Sequence, residues 1–172
     1  MAHSIRIAPA TEDQVPLILG FIRGLAEYEK LAHEVEATEE SLRRSLFSAR
    51  PDAEVVIAYV DDEPAGFALF FHNYSTFLGQ RGLYLEDLFV KPSFRGHGVG
   101  RRLLQHLAHL AVERGCGRFE WWVLDWNAPA IRFYEGLGAR PMSEWTVYRL
   151  TGDALANVAG EAPADEPLDD RS

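Results

Sequence analysis

The sequence predicts an α/β domain with a mixed, mostly antiparallel sheet flanked by helices. Apolar strand patterns and amphipathic helix patterns follow one another in a mixed order, and the longest helix pattern opens directly out of a glycine-rich turn. The chain has 172 residues, of which 47% are hydrophobic, which is enough for one core and short for two. We therefore expect one domain over residues 1–157 and an acidic, disordered tail over residues 158–172.

The first fifty residues predict one strand and two helices. Apolar residues at alternate positions indicate a strand over residues 5–9. Thr11, followed by two acidic residues, is a typical helix cap, and apolar residues at helical spacing extend that helix to about Lys30. Thr38 is a second cap, which predicts a helix from Glu39 to Ser48.

The middle of the chain predicts a hairpin and the strand that completes it. Two apolar runs, Glu54 to Val60 and Ala65 to Asn73, flank the turn residues 61–64. The next strand begins at Leu83 and should pair with the second of them. The remaining predicted elements are a helix at Val99–Glu113, a strand at Arg118–Leu124, a helix starting at Asn127 and a closing strand at Thr146–Leu150.

The strand from Leu83 to Val90 carries two adjacent carboxylates. Strict alternation predicts that one face holds Leu83, Leu85, Asp87 and Phe89, and that the other holds Tyr84, Glu86, Leu88 and Val90. Glu86 and Asp87 are therefore expected on opposite faces, in the middle of the strand.

The turn from Arg95 to Gly100 is suited to binding phosphate. Its glycines let the backbone approach a ligand, and it opens into a helix whose first N–H groups and dipole favour an anion. A P-loop would need Lys and Ser or Thr after the last glycine, and Arg101 and Arg102 stand there instead. The spacing also fits a dinucleotide-binding fingerprint poorly, whereas a turn that only caps the helix remains an open alternative.

The motifs resemble those of the GNAT acetyltransferase superfamily. Arg95, Gly98 and Gly100 match its Arg/Gln-x-x-Gly-x-Gly/Ala loop between a strand and a helix, and residues 124–139, LDWNAPAIRFYEGLGA, look like its second motif. Residues 26–30, AEYEK, and 83–87, LYLED, look like the spermidine/spermine (diamine) and thialysine acetyltransferase branch. The similarity extends from about Ile5 to about Leu150.

This resemblance implies an enzyme that uses acetyl-coenzyme A as co-substrate and a primary amine as acceptor. The residues that it places at the coenzyme are Leu88, Phe89, Val90, Arg95, Gly96, His97, Gly98, Val99, Gly100, Arg101, Asn127, Pro129 and Tyr134. The acceptor residues that it implies are Tyr28, Glu29 and Glu86, and the carboxylates of Glu29 and Glu86 could hold a cationic amine. Members of this branch commonly form homodimers, which we also expect here.

Acetyl transfer to an amine needs a base and an acid. Glu86 is the predicted base, acting through a water molecule, with a pKa raised by partial burial. Asp87 is the weaker candidate, since the resemblance puts the acidic role at Glu86. His72 and His97 also rank below Glu86, and a purely structural carboxylate remains an alternative. Tyr134 is the predicted acid for the departing thiolate, because a phenol and a thiol have similar pKa values.

Composition excludes several other functions. A net charge of −9 disfavours nucleic acid as a partner and favours a cationic substrate. No apolar run approaches the roughly 18 residues of a membrane span, and the first residues lack the features of a secretion signal, so we expect a cytoplasmic protein without a membrane partner. Cys116 is the single cysteine and has no metal-ligand spacing with histidines, so no metal is expected.

Two alternatives stay open at this point. A protein of the same fold could acetylate a protein N-terminus or lysine, or it could bind the coenzyme without catalysis. The presence of both Glu86 and Tyr134 argues against the second alternative. Among small acceptors, Arg140 adds positive charge after the Tyr134 helix, which weakens the case for a polyamine. The match at residues 124–127 resembles the thialysine-type relatives, whose acceptors are lysine-like amines.

Overall fold

The structure is a computed structural model that describes residues 3–160. It contains two compact units, one ending at Asn127 and one beginning at Ala128. The strands of the first unit are β1 (Ile5–Pro9), β2 (Glu54–Val60), β3 (Glu63–Ser75), β4 (Gln80–Val90) and β5 (Phe119–Trp121). Its α-helices are α1 (Val15–Tyr28), α2 (Glu39–Leu46) and α3 (Val99–Glu113), and the second unit contains α4 (Ala128–Gly136) and α5 (Gly152–Gly160).

The five strands form one mixed sheet in the order β1-β2-β3-β4-β5. Neighbouring strands from β1 to β4 are antiparallel, whereas β4 and β5 are parallel. This confirms the predicted α/β class and the mostly antiparallel sheet. The β4–β5 pairing covers only Leu83–Leu85 of β4, so β5 is shorter than the predicted strand Arg118–Leu124.

Helix α1 covers one face of the sheet and supplies the main apolar core. Val15, Ile18 and Phe21 are fully or almost fully buried, and they join Phe67 and Phe89 of the sheet in one cluster. The rings of Phe21 and Phe67 stack with their centroids 5.3 Å apart. The apolar stripe read from the sequence therefore packs α1 onto the middle of the sheet.

Helix α3 covers the opposite face. Its buried side chains are Val99, Leu103, Leu104, Leu107 and Ala111, at the predicted helical spacing. A Cβ built on Gly100 would lie 3.8 Å from the Val90 side chain and 3.9 Å from that of Leu88. Leu88 and Val90 thus face α3, while Phe89 between them faces α1.

A β-bulge in β4 shifts the alternation at Glu86. Leu85 pairs with Phe70 and Asp87 pairs with the preceding residue, Leu69, so Glu86 is an extra residue without a partner on β3. The predicted single face of Leu83, Leu85, Asp87 and Phe89 is therefore wrong. Leu83 and Leu85 share the α3 side of the sheet with Phe70, whereas Asp87 and Phe89 lie on the α1 side.

Local signals in the first unit agree with the structure. Asp61 and Asp62 both adopt positive φ, 49° and 67°, which is the conformation of a tight hairpin turn between β2 and β3. The Thr38 side chain accepts a hydrogen bond from the backbone N–H of Ser41, so it caps α2 as predicted. The predicted helix α3 has the same bounds in the structure.

The second unit departs most from the sequence expectations. Thr146–Leu150 is not a strand in the structure, and its side chains are exposed, Tyr148 to 93%. A strand needs a neighbour for its backbone hydrogen bonds, and the described part of the second unit, residues 128–160, contains two helices and no strand. Helix α5 follows and was not predicted; it makes residues 158–160 helical rather than part of a disordered tail, while residues 161–172 lie outside the described part of the chain.

Over residues 3–160, no helix combines the length and the apolar composition that a membrane crossing would require.

Candidate active site

The glycine turn between β4 and α3 has a conformation that requires glycine at two positions. Gly96 and Gly98 have φ values of 81° and 83°, in the left-handed region where a side chain is strained. Gly98 is the N-cap of α3 and has no side chain with which to cap it, so the first N–H groups of the helix are left for another acceptor. A Cβ at either glycine would meet no atom within 4 Å, so the space in front of the turn is open. The turn is a suitable anion site.

Arg95 ties this turn to β4 and to the end of α1. Its Nε donates a hydrogen bond of 2.9 Å to the carbonyl oxygen of Val90. Its guanidinium carbon lies 5.0 Å from the ring centroid of Tyr28 and 5.5 Å from that of Phe89. Arg95 therefore stabilises the turn through its hydrogen bond and cation–π contacts, and it adds a positive charge beside the turn.

His97 lies at the other side of the turn. Its ring is edge-on to that of His3 with the centroids 5.3 Å apart, and His3 Nδ1 is 2.7 Å from Asp61 Oδ2. His97 is exposed. The contact joins the turn to the segment in front of β1.

The end of α1 brings together residues that are far apart in sequence. Tyr28 Oη donates a hydrogen bond of 3.3 Å to Asn127 Oδ1, and its ring centroid is 6.2 Å from that of Trp126. Lys30 Nζ lies 5.1 Å from the Trp126 ring centroid. The predicted acceptor residue Tyr28 and the predicted coenzyme residue Asn127 are thus neighbours. Trp126 and Lys30 were not predicted as site residues, although each belongs to a motif that resembles the family, residues 124–139 and 26–30.

Three carboxylates influence one another where β4 passes the end of α1. Burial first, and then the negative charges of Glu86 and Glu29, raise the pKa of Asp87 to about 6. Burial also raises the pKa of Glu29. Glu86 itself is exposed, so the partial burial expected for it is wrong and belongs to Asp87 instead. The bulge explains the exchange, because it turns Asp87 toward the α1 side and leaves Glu86 outside the ladder.

Tyr84 extends this site along the sheet. Its ring centroid lies 5.0 Å from that of Phe71 and 6.0 Å from that of Trp122. Burial, followed by the charges of Glu86 and Glu120, raises its pKa to about 12. Tyr84 therefore stays a neutral phenol beside the carboxylates at any physiological pH.

Beyond Leu85, the edge of β4 that faces β5 is open. The described residues provide no strand beside Glu86–Val90 on that side, since the parallel pairing stops at Leu85. The Val90 carbonyl oxygen accepts the hydrogen bond from Arg95, and the other backbone groups of Leu88–Val90 that point to this edge can hydrogen-bond an extended ligand. The open edge leads directly to the glycine turn.

Pro129 and Tyr134 lie on α4 in the second unit. The ring centroids of Tyr134 and Phe133 are 5.6 Å apart. Tyr134 is half-buried and Phe133 is exposed.

Known protein families agree with these observations. The model of the acetyltransferase (GNAT) family matches residues 11–139. The thialysine N-epsilon-acetyltransferase of Sus scrofa is 38% identical, covering 92% of this chain and 99% of its own. The L-ornithine N5-acetyltransferase of Arabidopsis thaliana is 36% identical, covering 89% of this chain and 87% of its own.

The fold is also found among solved structures. An integron cassette protein of V. cholerae superposes with a TM-score of 0.75 at 30% identity, covering 91% of this chain and 98% of the other. The family match spans the glycine turn, the open edge of β4 and helix α4. The chain belongs to the GNAT family of acetyltransferases and is an acyltransferase of the N-acetyltransferase type.

Proposed function

We propose that the protein transfers an acetyl group from acetyl-coenzyme A to the primary amine of a small diamine, polyamine or lysine-like amino acid. The observation that carries this proposal is the open edge of β4, which runs from an acidic cluster at Glu86 and Asp87 to the glycine turn at the start of α3. A cationic acceptor and an anionic donor can thereby meet on one strand.

The glycine turn is the proposed site for the pyrophosphate of the coenzyme. Gly96 and Gly98 adopt left-handed φ values, and the N-terminus of α3 supplies uncapped N–H groups and the positive end of the helix dipole. His97, Val99, Gly100 and Arg101 complete this turn. Because the two left-handed glycines have no side chains, the pyrophosphate can approach the backbone of the turn without obstruction.

The open edge of β4 is the proposed site for the pantetheine arm. That arm carries amide groups and can hydrogen-bond a strand edge as a peptide would, at Leu88, Phe89 and Val90. A backbone N–H at the same edge would polarise the thioester carbonyl. Asn127, held by Tyr28, and Pro129 are the proposed contacts from the second motif.

The acceptor is proposed to bind through charge. Glu29 and Glu86 would accept hydrogen bonds from an ammonium group, with Tyr28 beside them. The names of the relatives favour this acceptor class, since thialysine and ornithine both carry a side-chain amine. A lysine-like amino acid also fits Arg140, which could neutralise its carboxylate.

Glu86 is the proposed base, acting through water. It takes the proton of the amine as nitrogen forms a bond to the carbonyl carbon, and Tyr134 gives a proton to sulfur as the carbon–sulfur bond breaks. Asp87 is the competing base, favoured by its pKa of about 6, which is closer to neutrality than that of an ordinary carboxylate.

Residues 1–157 are proposed to act as one catalytic domain, and the protein is proposed to be cytoplasmic. We also propose a homodimer, because the segment after α4 exposes apolar side chains: 76% of Trp145, 57% of Val147 and 93% of Tyr148. Light scattering after gel filtration at micromolar concentration tests the dimer.

The activity is tested by coenzyme-dependent thiol release over a panel of amines. The panel contains spermidine, diaminopropane, lysine, thialysine, ornithine and a basic peptide. We expect turnover of a small lysine-like amine, with a fall of about 100-fold in kcat for Glu86→Gln or Tyr134→Phe and little change in coenzyme binding. If Asp87→Asn abolishes turnover and Glu86→Gln does not, Asp87 is the base.

Two outcomes would reject the proposal. Turnover of the basic peptide alone would assign a protein acceptor. Tight coenzyme binding without release on any amine would assign a binding module. Gly98→Val tests the turn separately, because it should weaken coenzyme binding at least tenfold through strain and obstruction, and unchanged affinity in a calorimetric titration would reject the turn as the site.

A further inference from the structure

A groove of about 380 Å³ lies between β1 and α3, on the side of the sheet farthest from β5. Its lining residues are Ile5, Arg6, Ile7, Arg102, Gln105, His106 and His109. None of these residues belongs to the proposed coenzyme or acceptor sites. None of them is acidic, although the whole chain carries a net charge of −9. The groove is therefore a local concentration of basic groups on an acidic protein.

One wall of the groove is the outer edge of β1. Ile5, Arg6 and Ile7 are consecutive and their side chains alternate between the two faces of the sheet, so their shared exposure to one groove must involve the backbone edge. The Arg6 guanidinium in fact lies over the Tyr59 ring, 4.2 Å from its centroid. Strand β1 is an edge strand of the sheet, and no strand of residues 3–160 pairs with its outer edge. An unpaired edge is a template for another strand.

The other wall is a stripe on α3. Arg102, His106 and His109 recur at helical spacing, with Gln105 between them. Arg102 and His106 are separated by about 6 Å along the helix axis, which is close to the spacing of about 7 Å between side chains on one face of an extended peptide. Burial first, and then the charges of His109 and Arg102, lower the pKa of His106, so this histidine would meet a carboxylate as a neutral N–H donor beside the charged Arg102.

We propose that this groove binds an extended acidic peptide, which adds to the edge of β1 as a further strand and directs alternate carboxylates to Arg102, His106 and His109. The unpaired edge accounts for the backbone of such a ligand, and the basic stripe accounts for its side chains. A compact anion would use the basic stripe and leave the strand edge unused, so the two walls together favour the peptide.

The test is fluorescence anisotropy with labelled peptides on the full chain. The probe alternates glutamate and valine, and its two matched controls are a peptide of the same composition with the glutamates in one block and an alternating peptide with N-methyl groups at every second residue. We expect the probe to bind at least tenfold more tightly than either control. Equal affinity of the three peptides would show that charge attraction alone accounts for binding, and this would overturn the proposal.

Variants locate the binding on the protein. The double substitution Arg102→Glu and His109→Glu should weaken binding of the probe at least tenfold, whereas Arg44→Glu on the exposed surface of α2 should change it less than twofold. Circular dichroism checks that each variant is folded. Equal losses in both variants, displacement of the probe by inorganic pyrophosphate at equal concentration, or no binding by the wild-type chain would each reject the proposal.

Discussion

Replacement of Asp87 by Asn should remove a dependence of protein stability on pH. The folded protein holds the Asp87 pKa at about 6, against an ordinary value of 3.8. A carboxyl whose pKa is raised by folding contributes stability at pH values below its unfolded pKa, and this contribution is lost as the pH rises through the folded pKa. Asn carries no charge at any pH, so the variant lacks this loss.

The size of the effect follows from the two pKa values. The full difference of about 2 units corresponds to about 3 kcal/mol of unfolding free energy, and about 1.3 kcal/mol of it falls between about pH 5.0 and pH 7.5. The advantage of Asp87→Asn over the wild type should therefore grow by about 1.3 kcal/mol over this interval. At neutral pH the variant should be the more stable protein, because the wild type buries a charged carboxylate there.

Urea unfolding of both proteins, followed by tryptophan fluorescence at the two pH values, measures this change. Glu36→Gln removes an exposed carboxylate and is the matched control. Its unfolding free energy relative to the wild type should change by less than about 0.3 kcal/mol between the two pH values. If the difference in unfolding free energy between Asp87→Asn and the wild type is the same at both pH values, burial does not hold Asp87 in its protonated form.

Three further substitutions test the packing of the first unit. Gly66→Ala places a Cβ in steric conflict with the carbonyl oxygen of Phe89, a backbone atom that cannot rotate away, so chemical unfolding should show a loss of at least about 2 kcal/mol. Arg114→Met breaks a paired contact to Glu54, with N–O distances of 2.6 and 3.0 Å, and should cost about 1 kcal/mol, less in high salt; a salt-independent loss would point to packing alone. Thr38→Ala should lower the melting temperature by removing a helix cap worth about 1 kcal/mol, and an unchanged transition in calorimetry would contradict that role.

Local patterns allowed most of the first unit to be predicted. Helix α3 has its own start signal in Gly98 and a complete apolar stripe, so its bounds depend little on the rest of the chain. The β2–β3 turn likewise depends on Asp61 and Asp62, which tolerate positive φ. Both features are set by neighbouring residues, which is why a single sequence is enough to find them.

The failures have a common physical cause, since they depend on partners distant in sequence. The bulge at Glu86 exists only in the pairing of β4 with β3, and alternation within one strand cannot reveal it. Because the bulge was not foreseen, partial burial was expected for Glu86, whereas the structure partly buries Asp87 instead. Residues 146–150 have the composition of a strand, but composition supplies no neighbour to pair with.

The bulge also makes position 86 differ from its two neighbours in the substitutions that it tolerates. Residues on either side of it must fit a packed face of the sheet, so few replacements at those positions preserve the fold. The extra residue fits neither face, and most amino acids can occupy it at small cost to stability. Position 86 is therefore a place where the chemistry of the site can be varied, by evolution or by saturation mutagenesis, while the protein remains folded.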